Sequence, residues 1–271
     1  MPRYRYAFDE AKIVRYQKQG RGLGDGSSYL PWLTVADVPS RGRSHRVFCR
    51  KTERVHHLLS DNEYYAFLLF WWHDSVVDIK EQYPILDRRE TLLIATTLGC
   101  KHPVDPATRT LLVVTTDFVV TLRTPVGLKL VAKAVKESGE LVNRRVLEKL
   151  QIEYNYWNAL GIEWGILTER KLKTPFTRNL AWLYDADNYK WFRTQHVDSM
   201  PEMERALQAL LDQWPQVPLH EICATFDRAY GLIAGTGLSL LRLLIASKRL
   251  TVDLTVTRPL DQPAKQVSRI A

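Results

Sequence analysis

Hydrophobic and polar positions alternate most regularly over residues 111–135, LLVVTTDFVVTLRTPVGLKLVAKAV, and predict a β-hairpin there. The even positions of its first strand (Leu112, Val114, Thr116, Phe118, Val120, Leu122) and of its second (Leu128, Leu130, Ala132, Ala134) are apolar or small and are expected to share a core face. Thr115, Asp117 and Val119 then share the opposite face with Lys129, Val131 and Lys133. Because a one-residue slip turns every side chain over, the pattern sets the parity of the register and predicts Asp117 and Lys133 on one side of the sheet. An aspartate is disfavoured in so valine-rich a strand, so Asp117 asks for a reason.

Around the hairpin the pattern predicts a helix over residues 9–19, stopped by the glycines of residues 20–26. Their spacing is not that of a Walker loop and no buried strand precedes them, which points to a flexible basic loop. Residues 29–40 are extended and anchored by Trp32, and residues 44–49 and 54–59 alternate as a hairpin. Next come a helix from Ser60 to about Trp72, a strand over 76–83 ended by Pro84, and a helix over 88–98 closed by Gly99. A long helix over 142–160 and a short strand over 164–167 follow the hairpin. The expected class is α/β, a mixed sheet flanked by helices. Residues 169–175 are charged and read as a linker, dividing the chain into 1–170 and 171–271. Helices over 177–184, 203–214, 219–230 and 238–247 and a strand over 250–257 fit a winged helix or a generic small helical domain equally.

Composition changes this picture little: 45% hydrophobic and 25% charged residues exclude a disordered or collagen-like chain. Charge changes it more. Residues 1–60 hold twelve Lys or Arg against five Asp or Glu, nearly the whole of the net +8. That favours a polyanionic partner such as nucleic acid, with a basic surface kept for solubility as the alternative. Arg41, Arg43, Arg46, Lys51 and Arg54 are the candidate phosphate contacts, or equally a solvated rim. Three scattered cysteines without a CxxC suggest neither a disulfide framework nor structural zinc and fit a reducing cytoplasm. No stretch approaches the roughly eighteen apolar residues of a membrane span, and no signal peptide is expected.

An acid and a lysine on neighbouring strands suit a metal-dependent nuclease, and also an ordinary solvent-facing strand pair. Glu63 has two readings as well. Ser60 and Glu63 have the spacing of a capping box, but Glu63 also shares a helical face with Ala66, Phe67, Phe70 and Trp71, close to the core. His56 and His57 adjoin on a strand and point to opposite faces, so one inward and one DNA-facing histidine is expected rather than a metal pair. Trp71, Trp72 and Trp157 read as core.

The stretches PWLTVADVPSRGRSHR (31–46), KTERVHHLLSDNE (51–63), DIKEQYP (78–84), KHPV from Lys101, TTDF from Thr115 and LEKLQIEYNYW (147–157) resemble the TnsA family. Its members are endonuclease subunits of Tns-type heteromeric transposases, and the resemblance extends over residues 13–184. It implies a restriction-endonuclease-like domain over 1–170, with a magnesium site (manganese as substitute) built from Glu63, Asp117 and Lys133, and a winged-helix-like domain over 171–271. Glu153 falls where the family has a further acid near the site. Many nucleases of this fold carry an acid two residues before the lysine, and the family a glutamine. This chain has Val131 there, so the backbone carbonyl of Ala132 is expected to complete the ligand set.

The implied activity is hydrolysis of the strands at the 5′ ends of a transposon, leaving 5′-phosphate and 3′-hydroxyl. A DDE-type subunit, TnsB, would handle the 3′ ends, and the C-terminal part would dock on the AAA+ regulator TnsC. The expected location is the prokaryotic cytoplasm, on DNA. A non-catalytic scaffold bridging end-DNA and the regulator, and an autonomous restriction-type endonuclease, are the competing readings.

Overall fold

Asp9 opens the first helix, α1 (Glu10–Lys18), by accepting the Lys12 amide at 2.7 Å. The computed structural model describes residues 7–39, 42–187 and 199–269, in two units, Met1–Lys173 and Thr174–Ala271. In the first unit, Ile13 and Tyr16 of α1 bury against Phe8, Trp32 and Val113. A short antiparallel hairpin, β1 (His45–Cys49) and β2 (Arg54–Leu58), precedes α2 (Asp61–Trp72). Then come β3 (Val76–Ile85), α3 (Arg88–Thr97), β4 (Val114–Thr124), β5 (Gly127–Lys136), α4 (Arg144–Ala159), β6 (Glu163–Thr168) and the one-turn α5 (Glu169–Leu172).

Strands β3 to β6 form one mixed sheet in the order β3-β4-β5-β6, antiparallel except for the parallel β5–β6 pair. The strand expected to stop at Pro84 runs through it to Ile85. Proline is tolerated there because β3 is an edge strand, bonded within the sheet only to β4. The expected linker begins instead as α5, whose Leu172 is fully buried.

The register of β4 and β5 corrects the expected parity. Thr124 pairs with Gly127 around the turn residues Pro125 and Val126, and the ladder continues through Leu122↔Lys129 and Val120↔Val131 to Phe118↔Lys133. Even positions of one strand therefore face odd positions of the other, and Lys133 shares a side with Phe118, not with Asp117. The alternation misled because this sheet is covered on both faces: Val119 and Val120 are both buried, so apolar residues mark no single core side. Phe70 of α2 meets Phe118 at 5.2 Å between ring centroids. Trp157 of α4 buries against Val119 and Ala132 and donates its Nε1 to Thr116 Oγ1 at 2.7 Å. Ile85, Ala95, Val114 and Ile152 join α3 and α4 to the sheet.

In the second unit, α6 (Pro175–Asp187), α7 (Met200–Gln213), α8 (Leu219–Ala229) and α9 (Thr236–Ala246) are followed by β7 (Leu250–Thr251), paired with β8 (Ser268–Arg269). Leu180, Leu207, Phe226 and Leu240 are among its fully buried side chains. Asp227 of α8 accepts the amides of Gly235 and Gly237 at 2.7 Å each, satisfying the start of α9. The strand expected over 250–257 is only two residues long. Asp253 turns the chain by accepting Thr255, and Asn179 takes the carbonyls of Leu254 and Val256 that a ladder would have used. No helix among the described residues is long and apolar enough to cross a membrane.

Candidate functional site

Ser60 caps α2, its Oγ accepting the Glu63 amide at 3.1 Å, while the Glu63 carboxylate takes the Leu59 amide at 2.9 Å and the Ser60 hydroxyl at 3.3 Å. Both readings of Glu63 hold in part: its carboxylate folds back onto the cap, though to the Leu59 amide and the Ser60 hydroxyl and not to the Ser60 amide of a closed capping box, and it is buried, 7% exposed. Burial, reinforced by the charge of Asp117, pushes its carboxyl up to about 8.

Asp117 lies where β4 and β5 part. The last pair of their ladder is Phe118↔Lys133, while β5 stays paired with β6 to Lys136↔Thr168. Beyond Lys133 the Val135 amide turns to Asp117 Oδ2 at 2.7 Å, and Lys136 Nζ reaches the same oxygen at 2.8 Å. Burial works against a charged Lys136, yet Asp117, with Glu153 and Glu63 behind it, holds its ammonium above the usual lysine range. Lys136 Nζ also donates to the Val135 carbonyl at 2.8 Å.

Lys133 is placed elsewhere. Its Nζ lies 2.9 Å from Glu163 Oε1, and Lys129 takes Glu163 Oε2 at 2.9 Å. Ala132, expected to lend its carbonyl, is buried mid-sheet between Val119 and Trp164; the β5 backbone beside Asp117 is that of Val135. The lysine at the aspartate is therefore Lys136, reached by pairing β5 through its two-residue turn.

Gln82 completes the cluster. Its Nε2 lies 3.4 Å from both Glu63 Oε2 and Asp117 Oδ1. Its φ of +48° puts it in the left-handed region, a strain of about 1–3 kcal/mol for a residue with a side chain. Glu153, on α4, is buried and accepts Trp164 Nε1 at 2.8 Å. Burial first, and then the charge of Asp117, raises it to about 7. The structure thus brings together Glu63, Asp117 and Glu153 of the expected residues, leaves out Lys133, and adds Lys136 and Gln82. Glu153 borders the other two acids without joining them as a ligand set: among the described residues no group of three His, Cys, Asp or Glu could hold a metal ion. A hard divalent cation would therefore draw on Glu63 and Asp117 plus neutral oxygens, which such ions accept.

The expected phosphate contacts scatter. Arg54 is buried, with Nη1 and Nη2 on the Glu81 carboxylate at 2.8 and 2.6 Å and Nη2 also on the Ile79 carbonyl. It ties β2 to β3 and is not at the surface. His56, fully buried, adds its Nδ1 to Glu81 at 2.8 Å, and His57 is half-buried beside it on β2. Lys51 Nζ donates to the carbonyls of Phe70, Trp71 and His73, the C-terminal end of α2, a favourable place for a cation. Arg43 is exposed and pairs with Asp61 at 2.9 Å, Arg46 is exposed on β1, and Arg41 lies outside the described residues.

Comparison with known proteins gives two family matches, "TnsA-like endonuclease N terminal" over residues 73–169 and "TnsA endonuclease C terminal" over residues 172–254. The first spans Gln82, Asp117, Lys136 and Glu153, and Glu63 precedes it. An Escherichia coli relative, the transposon Tn7 transposition protein TnsA, is 39% identical over 242 residues, 89% of this chain and 85% of that protein.

Proposed function

The chain belongs to the TnsA-like endonuclease family, DNA endonucleases of Tn7-type transposition, and from that premise we propose how its residues cut DNA. Glu63 and Asp117 would hold a divalent cation, magnesium or its substitute manganese, and Lys136 would serve the attacking water. The observation that carries the reading is the convergence on Asp117: Lys136, the Val135 amide and, through Gln82, Glu63. Buried Glu63, driven to about 8 by burial and by the charge of Asp117, and partly buried Asp117 set two acids against the one ammonium of Lys136, which fits a cation. Bound there, the cation would neutralise the scissile phosphate and acidify the attacking water.

The side chains have separable tasks. Lys136, anchored by Asp117 and the Val135 carbonyl, orients the water and a phosphate oxygen. Glu153, buried and held by Trp164 Nε1, feels the charge of Asp117 and supports the site as a further carboxyl. The order α2, β3, β4, β5, α4, β6, with acids on the helix and second strand and a lysine on the third, supports a restriction-endonuclease-like domain over residues 1–170. Helices followed by the β7–β8 pair support a winged-helix-like domain over 171–271.

The substrate is the strand at each 5′ end of a transposon, with a TnsB-type DDE subunit acting on the 3′ ends and a TnsC-type AAA+ regulator meeting the C-terminal part. Arg43 and Arg46 remain as phosphate contacts on the end-DNA. The test is Asp117→Ala in a reconstituted transposase with labelled ends. Cleavage at the 5′ ends should stop while the partner's 3′ cutting persists, and undiminished 5′ cutting removes Asp117 from the mechanism. One observation favours a non-catalytic scaffold: the residue two before Lys136 is Ala134, which brings no ligand. Absence of any magnesium- or manganese-dependent titration sensitive to Glu63→Gln would establish that reading instead.

A further inference from the structure

Among the described residues, Gln82 is hydrogen-bonded to both carboxylates, and nothing in the reaction above uses it. Its side chain is inside the protein, 3% exposed. Its neighbours Glu81 and Tyr83 pair with Phe118 and Thr116, so Gln82 stands across the ladder from Asp117. The left-handed backbone is fixed from several directions. Its carbonyl accepts the Trp32 amide at 3.2 Å, Glu81 before it is gripped by Arg54 and His56, and Pro84 beyond it continues the strand. Strain kept in place by surrounding structure is a common mark of a working position.

The chemistry of the site leaves a place for it. Ala132 and Ala134, on the β5 side nearest Asp117, offer no side-chain oxygen. Glu63 and Asp117 make only two carboxylates, and a hard divalent cation takes six or more oxygens. No described residue donates to Gln82 Oε1, while Nε2 points between the two carboxylates. A carboxamide is symmetric in shape, so a half-turn about its last torsion puts oxygen where nitrogen was.

We infer that Gln82 is a third side-chain ligand of the divalent cation held by Glu63 and Asp117, its amide turning over so that Oε1 takes the position of Nε2. The inference rests on the nuclease reading of those two carboxylates. With the cation away, the amide donates to the facing carboxylates and keeps them apart; with it present, the carbonyl oxygen joins them without adding charge.

Manganese binding to the full chain, read from the loss of the free-ion signal in electron paramagnetic resonance, tests this without any cleavage assay. Wild type should bind, Asp117→Ala should lose binding, and Gln82→Ala should weaken it about tenfold or more. Gln82→Glu, near-isosteric but unable to donate a hydrogen bond when ionised, should bind at least as tightly as wild type. Gln82→Ala binding like wild type while Asp117→Ala does not would overturn the role of Gln82 and leave the carboxylate site standing. Gln82→Glu weakened as far as Gln82→Ala would also overturn it, since the side chain would then act only as a donor. A wild-type chain that binds no manganese overturns both readings. Circular dichroism reports whether Gln82→Ala folds; if it does not, the Gln82→Glu result decides.

Discussion

Lys136 Nζ lies 2.8 Å from Asp117 Oδ2, on the side of the sheet that Lys133 does not reach. The two lysines are three residues apart and both are ion-paired, but Lys133 is paired with Glu163. Lys136→Ala should lower the single-turnover rate of 5′-strand cleavage by about 10² or more, the usual scale for a group that handles the reacting water. Lys133→Ala should leave the rate within a few-fold of wild type. Equal losses in the two variants would contradict the assignment.

The raised carboxyls give a pH dependence whose sign is fixed. Glu63, at about 8 against an ordinary 4.5, and Glu153, at about 7, hold protons more tightly in the folded than in the unfolded chain. Their contribution to stability is complete below about pH 4.5 and is lost as the pH rises through about 7 to 8. In the presence of a chelator, the difference in melting temperature between Glu63→Gln and wild type should therefore grow in the variant's favour from about pH 5 to about pH 8.5. Thermal unfolding followed by circular dichroism measures it. A pH-independent difference would mean that Glu63 ionises as freely when folded as when unfolded.

Arg54 and Glu81 predict a different effect. Glu81 is wholly buried; burial alone would raise its carboxyl, but His56 and Arg54 more than offset that and hold it well below the usual range. Glu81→Gln would leave the Arg54 guanidinium, 8% exposed, without its counter-charge. Breaking one partner from such a buried pair costs about 3–5 kcal/mol. Urea unfolding should show a loss of that order, with DNA binding at low salt unchanged if Arg54 is the structural tie described above. For Arg43 and Arg46 the expectation is reversed: replacing both should leave stability nearly unchanged and flatten the salt dependence of end-DNA binding.

How much of this was legible beforehand differs residue by residue. Ser60 and Glu63 were legible because a capping box is a local motif, and the same spacing that caps α2 buries the carboxylate. The hairpin was legible as two strands, but not in register. Alternation tells the two sides apart only when one side is wet, and β4 is buried on both. The turn decided it: closing on Thr124 and Gly127 makes even face odd, which moves the lysine from position 133 to 136. Gln82 carried no signal, since a left-handed residue inside a strand is set by tertiary contacts with Trp32 and β4. Arg54 was misassigned for a related reason, because charge clustering along the chain cannot distinguish an exposed guanidinium from one neutralised by an acid 27 residues later. The TnsA resemblance supplied the family, and local geometry was needed to choose between its lysines.

The glycine-rich segment, expected as a flexible loop, is instead packed on the edge of the sheet beside Gln82, and this yields a last prediction. Gly22 donates its amide to the Leu30 carbonyl at 2.6 Å, and Arg21 Nη1 donates to the Trp32 carbonyl at 2.9 Å. Trp32 in turn donates its amide to the Gln82 carbonyl. A Cβ on Gly22 would lie 2.2 Å from Pro84 Cγ, and its φ of +84° is itself unfavourable for any other residue. Gly20 has a similar φ of +74° but nothing within 4 Å of an added Cβ. Gly20→Ala therefore isolates the backbone penalty, about 1–2 kcal/mol. Gly22→Ala adds a collision with a ring that cannot move without displacing β3. It should be the more destabilised of the two in urea, and manganese affinity should fall in Gly22→Ala alone, because the displaced strand carries Gln82. Matching losses of stability would show that Pro84 yields to the added methyl group, and an unchanged manganese affinity in a destabilised Gly22→Ala would show that the loop does not support the site.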